Sequence, residues 1–299
     1  MPSIRALVFL ALAGLGVVFA GRWTAQVLAT SRRDAARGAA PARGLPSFVE
    51  TAIGFVTDFF DTLGVGSFAP TTSVFRLLRV VPDELIPGTL LVGHTAAALA
   101  QAFIYITIIA VDMVSLVLLI AAAVLGSWLG AGAISRWPRR WIRAGMGAAL
   151  LAAAGVLLAT AVGLVPGGGE AVGLRGTRLA IGLAGNFILG ALMTIGIGAY
   201  APSLILFGLL GMNLKSVFPV MMGSCAFLMP VGGMRFLRRG RYAPRAALGL
   251  TLGGIPGVLL AAFLVREMSI ELVRWLVIVA VVHTAVTLLR SARTATDLD

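Results

Sequence analysis

Along this chain, long apolar blocks alternate with short polar ones. Apolar segments run over 4–21, 48–80, 86–110, 112–135, 141–165, 179–211, 214–234, 244–265 and 269–290. Most reach the ~20 residues that a helix needs to cross hydrocarbon, so the pattern predicts membrane helices. Two segments are broken from within, by Gly-Val-Gly-Ser-Phe-Ala-Pro at 64–70 and Gly-Ile-Gly-Ala-Tyr-Ala-Pro at 196–202. Glycine permits backbone conformations that a helix denies to other residues, and proline suits a first helical turn, where its missing N–H costs nothing. Gly64, Gly66 and Pro70 therefore predict a helix ending near Leu63 and a second starting near Ala69. Gly196, Gly198 and Pro202 predict the same in the second block. Unwound backbone at membrane depth needs shelter in protein or water, so both breaks should face the interior.

The first segment admits two readings. Arg5 before an apolar core, with Phe19-Ala20-Gly21 behind it, suits a signal peptide; an uncleaved first helix is the preferred expectation. Residues 22–44, polar and arginine-rich and ending in Ala, Pro and Gly, read as a flexible linker.

The two breaks belong to an internal repeat. Shifting the chain by 132 residues lays Phe55–Pro87 on Phe187–Pro219 without a gap. Ten of the 33 pairs are identical, including Gly64/Gly196, Gly66/Gly198, Ala69/Ala201, Pro70/Pro202 and Pro87/Pro219. Biased composition can supply matched leucines and alanines, but not an aligned Gly-x-Gly-x-x-x-Pro. The chain thus divides into an N-terminal helix and basic linker (1–44), a first repeat (45–165) and a second repeat (178–292).

Composition confirms the solvent. Apolar residues are 59% and charged residues 12%, against about 45–50% and about 25% in soluble domains. The net charge of +12 would suggest nucleic acid in a soluble protein. Here the arginines stand between apolar runs, as topology signals do, and nucleic-acid binding is not expected. The lone Cys225 excludes an internal disulfide and offers no metal pair; it reads as a small residue on a packed helix. No cofactor or metal is expected, and a homo-oligomer is compatible with the pattern.

Arginine clusters at 22–43, 136–143, 235–245 and 290–293 should all lie in the cytoplasm. If each broken segment dips in and returns to its own side, every cluster lands there, and so does the C-terminus. If the broken segments cross fully, the 136–143 cluster lands opposite the first. The expected architecture is all-α and polytopic in the cytoplasmic membrane. It comprises two inverted repeats, each a re-entrant broken helix plus three transmembrane helices, with one extra N-terminal helix. Inverted repeats of this kind are common among transporters.

In such a frame the second half of each broken helix aims its N-terminus at mid-membrane. Free amides and the positive dipole end there make an anion site. Gly64, Gly66, Gly196 and Gly198 shape it, Thr71, Thr72 and Ser203 lie in the first turns, and Ser67 and Tyr200 border the breaks. The competing reading is that the glycines only permit close helix packing. Asp58 and Asp61, at i and i+3, share a helical face beside the first bend. Buried carboxylates of this kind line ion or proton pathways, or else cap amides and pair with an arginine. Their counterparts in the second repeat are Gly190 and Met193. His94, with Gln101 on the same face, can relay protons or serve as a packed, hydrogen-bonded residue. His283 has no polar company in the sequence and reads as structural, while Asn186 suits an interhelical hydrogen bond.

The duplicated Gly-x-Gly…Pro segment in a chain of seven to nine spans resembles the TauE/SafE family of sulfite exporters. The likeness covers about 48–290 and is strongest over "IGFVTDFFDTLGVGSFAPTTSVFRLLRVVPDELIPGTLLVGHT". It implies secondary transport of small sulfur-containing anions, sulfite or organosulfonates, often outward. Much of that family carries Gly-Gly-Gly after the first bend; here Gly66-Ser67-Phe68 and Gly198-Ala199-Tyr200 bring side chains that narrow or reshape the site.

The expected function is therefore an anion transporter, with Asp58, Asp61 and His94 as candidates for proton coupling. A proton- or cation-coupled importer of another small solute is the alternative. An intramembrane enzyme is not expected, because two carboxylates on one helical turn do not face each other from separate segments, and no nucleophile–base motif appears.

Overall fold

A computed structural model describes residues 3–36, 45–134, 169–193, 200–267 and 269–294, with scattered positions between 144 and 162. The described chain is almost entirely helical. In order it comprises α1 (Ile4–Ala36), α2 (Phe48–Thr62), α3 (Phe68–Leu77), a 3-10 turn (Asp83–Leu85), α4 (Ile86–Gly93), α5 (Thr95–Ile108), α6 (Met113–Ile134), α7 (Gly176–Met193), α8 (Tyr200–Leu209), α9 (Leu214–Arg239), α10 (Pro244–Glu267) and α11 (Ile270–Thr294). Among the described residues, five stretches are long and apolar enough to span a bilayer: Ile4–Ala29, Asp83–Ile108, Gly176–Met193, Leu214–Arg239 and Pro244–Leu264. Met113–Leu129 is a shorter apolar helix.

The first break lies where the glycines place it. α2 stops at Thr62, Gly64 and Gly66 take φ of 96° and 87°, and α3 begins at Phe68 with Pro70 in its first turn. α3 and α8 both have ten residues, and their bounds differ by the 132-residue repeat. The second break, with Gly196 and Gly198, and the arginine cluster at 136–143 lie outside the described residues.

Two expectations need correction. Residues 22–36 are not a linker, because α1 continues through them to Ala36; alanine, arginine and glutamine are good helix formers, so polarity here marks a helix leaving the apolar layer. The segment 86–110 is not one uninterrupted helix, since His94 stands at a bend between α4 and α5. There the Thr251 hydroxyl donates to Gly93 O at 2.7 Å and Thr95 donates to Leu91 O at 2.5 Å, and such side-chain bonds to helical carbonyls bend helices.

Packing crosses between the two halves of the chain. α2 lies on α10, and α7 lies on α6. These contacts are backbone-close because glycines face them. A methyl group on Gly54 would come within 2.6 Å of Leu250 Cα, and one on Gly253 would strike Thr51 O. On the other pair, Gly126 abuts Phe187 O and Gly190 abuts Ala123 O. With no hydrophobic drive between helices in lipid, such close approach is a main source of association.

Each end of the bundle is tied by polar contacts. At one end Arg245 Nε bonds Glu50 Oε2 at 3.1 Å, and Ala243 N–H donates to Thr89 Oγ1 at 2.9 Å. Ser47 and Glu50 form a reciprocal capping box on α2 there, which satisfies two free donors of the helix start. At the other end Asp112 N–H donates to Val172 O at 2.8 Å, Asn213 N–H to Ala171 O at 2.9 Å, and Ser216 Oγ to Ala110 O at 2.9 Å. Asp112 also accepts from Ser115 N–H at 2.8 Å; that bond, then the Ser115 hydroxyl, holds its carboxyl below the usual carboxylate range.

Candidate functional site

The apolar core contains one connected set of buried polar side chains, and it lies against the first break. α2 contributes Asp58, Asp61 and Thr62 from its last turns. The α4–α5 bend contributes His94, and α5 contributes Gln101 and Tyr105 at helical spacings that keep all three on one face. α3 contributes Thr71, and α8 contributes Tyr200 at its first residue.

His94 is the hub of one branch. Its Nδ1 donates to Asp58, 2.8 Å from Oδ1 and 3.0 Å from Oδ2. Its Nε2 lies 3.2 Å from Thr71 Oγ1, which itself donates to Ser67 O at 2.8 Å. With the hydroxyl proton given to Ser67, Thr71 is left as acceptor for an Nε2–H. A doubly protonated imidazole beside an ionised Asp58 satisfies every atom of this branch. Gly254 presses on the outer side of Asp58, where a methyl group would strike Oδ2.

Gln101 is the hub of the other branch. Its Nε2 donates to Asp61 Oδ2 at 2.8 Å and to Thr62 Oγ1 at 2.9 Å. Its Oε1 is left for Tyr200, whose hydroxyl donates across 3.4 Å from the second repeat. Tyr105 donates to Thr62 O at 2.8 Å and Thr62 to Asp58 O at 2.6 Å, while the Gly64 and Val65 N–H groups reach Asp61 O and Phe60 O, so the last carbonyls of α2 are satisfied, as helix ends require. Within this set, Asp61 Oδ1 has no hydrogen-bond partner among the described residues. Asp58, Asp61, His94 and Gln101 are each at most 3% exposed, so the set is occluded.

The starts of α3 and α8 meet here. Gly66 faces the Tyr200 ring, and a methyl group on it would stand 3.5 Å from Cδ2; one on Gly64 would stand 3.2 Å from Leu204 Cδ1. Ser67, Thr71 and Ser203 are buried, and Thr72 is half-buried. Thr71 spends its hydroxyl on the His94 branch instead of standing as a free donor. Cys225 is buried on α9 with Sγ 3.8 Å from Met193 Sδ.

Among the described residues neither Asp58 nor Asp61 pairs with an arginine, which was one expectation; their partners are His94 and Gln101. Asn186 Nδ2 bonds Leu119 O at 2.8 Å and Ser224 Oγ at 3.2 Å, which is the expected interhelical role. The His283 side chain is exposed on α11. Sequence reasoning noted Gln101 only as a companion of His94 and passed over Tyr105. The signal was present in the 94, 101, 105 spacing, a polar stripe along an otherwise apolar helix.

No family model, curated protein or solved structure matches the chain.

Proposed function

We propose that this protein is a secondary transporter that moves small sulfur-containing anions, sulfite or organosulfonates, across the cytoplasmic membrane, most naturally outward. The observation that carries the reading is the meeting of two half-helix starts, at Ser67–Phe68 and Tyr200, beside a buried polar set in a chain of membrane-spanning helices. Helix starts present free amides and positive dipole ends, so an anion can be held there without a fixed cation. The substrate class in this proposal is the one that the resemblance of residues 48–290 to the TauE/SafE family implies.

The re-entrant, inverted arrangement is part of the proposal. Two sets of contacts support it. The start of α2, through Glu50, and the start of α4, through Thr89, both meet the α9–α10 turn; α2 and α3 together then leave and return to one face. The start of α7, through Leu174, and of α9, through Ser216, both meet the α5–α6 turn in the same way. Those two turns, 109–112 and 240–243, are 131 residues apart, one residue short of the repeat spacing. Rocking of one repeat against the other would expose the central site alternately to each side.

The alternative is a proton- or cation-coupled importer of another small solute, favoured by the buried carboxylates. Purified protein in liposomes, loaded with sulfite or methanesulfonate and assayed for exchange with labelled external anion, tests the choice. Anion exchange is the expected result. Cation flux without exchange of any tested anion would overturn the anion reading.

A further inference from the structure

We infer that Asp61 is the residue that takes up and releases a proton with the transported anion, and that Asp58, one turn earlier, is not. The inference rests on the anion-transport reading and assigns the coupling within that site.

The two carboxylates differ in what surrounds them. Asp58 is fully committed, with both oxygens within hydrogen-bond distance of His94 Nδ1 and Gly254 closing the far side. His94 Nδ1 reaches both of its oxygens, so a proton added to Asp58 would compete with a hydrogen bond already made. Asp61 is half committed. Gln101 holds Oδ2, while Oδ1 is buried and without a hydrogen-bond partner among the described residues. A buried, ionised oxygen without a donor is strongly disfavoured. A proton on Oδ1 removes the charge and adds a donor without disturbing Gln101.

The groups facing Asp61 fit this assignment. Asp58 comes from its own helix, Ser67 from the break, His94, Gln101 and Tyr105 from α4–α5, Tyr200 from α8 and Cys225 from α9. His94 Nδ1 is committed to Asp58, and no lysine or arginine among the described residues bonds Asp61. The balance of the step is simple. When the site opens, Asp61–COOH gives its proton to water and becomes Asp61–COO⁻; occlusion requires the reverse. A carboxylate repels an anion held at the neighbouring half-helix starts, whereas a neutral carboxyl does not. Proton and anion therefore bind together and travel in the same direction. Gln101 carries the state of Asp61 to Tyr200 and so to the second repeat.

The test uses the full-length protein in liposomes with methanesulfonate, which stays ionised throughout the working pH range, so that any pH effect belongs to the protein. The rate of uptake is compared with and without an inward proton gradient, while a trapped pH dye reports proton entry. Wild type should show several-fold faster uptake with the gradient, together with proton entry that depends on the anion. In Asp61→Asn the ratio should fall to unity and the anion-dependent proton signal should vanish. In Asp83→Asn, on the exposed surface, the ratio should match wild type. Anion exchange in wild type without proton entry, or an Asp61→Asn variant that keeps the gradient response, would overturn the inference and leave the transport reading standing. If Asp61→Asn does not fold, the proton signal of wild type decides, with Asp61→Glu expected to retain it. Failure of wild type to exchange any anion overturns the transport reading itself, and the inference with it.

Discussion

His94 Nδ1 stands 2.8 Å from Asp58 Oδ1, with both side chains only 1% exposed. Two groups from segments 36 residues apart are thereby fixed at the α4–α5 bend and the last turn of α2. Removing one member of a buried pair leaves an uncompensated polar group and costs about 3–5 kcal/mol. His94→Ala and Asp58→Ala should each lower thermal stability in detergent by that order. The double variant should lose much less than the sum, and strictly additive losses would show that the two do not act as a pair.

Gly254 and Gly253 sit on the face of α10 that meets α2. A methyl group on Gly254 collides with Asp58 Oδ2, and one on Gly253 with Thr51 O. Overpacking of this kind costs about 1–3 kcal/mol. Both alanine variants should melt earlier than wild type. Gly232→Ala, whose nearest neighbour would be Leu91 Cδ1 at 3.4 Å, should melt close to it. Equal melting of all three would contradict the close packing of α2 on α10.

Arg79 is the only non-glycine residue at positive φ among those described, at 51°. Val80 N–H reaches back to Phe75 O at 3.0 Å, and in the second repeat Met212 N–H reaches Phe207 O at 3.0 Å. The residue in the corresponding place there is Gly211, at φ 91°. Both are helix C-terminal caps of the kind that favours glycine. Arg79→Gly should stabilise the protein by about 1 kcal/mol, while Gly211→Ala should destabilise it. A melting scan of both variants checks the pair of signs, and two changes of the same sign would refute the reading. Arg79 also borders a surface cleft with Arg76 and Asp83.

Asp112 gives a pH dependence. The Ser115 N–H, and then its hydroxyl, favour the carboxylate in the folded state. A group whose folded value is depressed contributes stability above its unfolded value, and that stability is lost as pH falls through the folded value. Asp112→Asn should therefore melt earlier than wild type at neutral pH, and the gap should close as the pH drops below the ordinary carboxylate range. A gap independent of pH would mean that the carboxylate charge contributes nothing.

Some of this was readable in one dimension. Apolar run length dictates helices that suit a bilayer, because every backbone polar group in lipid must be satisfied within its own segment. Gly64, Gly66 and Pro70 dictate the break, because the allowed backbone angles of those residues are local properties. The 132-residue repeat is likewise a property of the string, and α3 and α8 obey it. Polarity misled at residues 22–36, where helix propensity continues past the apolar stretch.

The tertiary structure decided which polar groups meet. Helical spacing shows that Asp58 and Asp61 share a face, and that His94, Gln101 and Tyr105 share another, but not which stripe faces which. The crossed packing of α2 on α10 and α7 on α6 rests on glycines whose value lies in the opposing backbone, and a lone sequence does not display that backbone. The same holds for the difference between the two aspartates. Three residues apart on one helix they look alike, yet one meets an imidazole and the other keeps a bare oxygen, because hydrogen bonding depends on distances of a few tenths of an ångström that only the packed bundle sets.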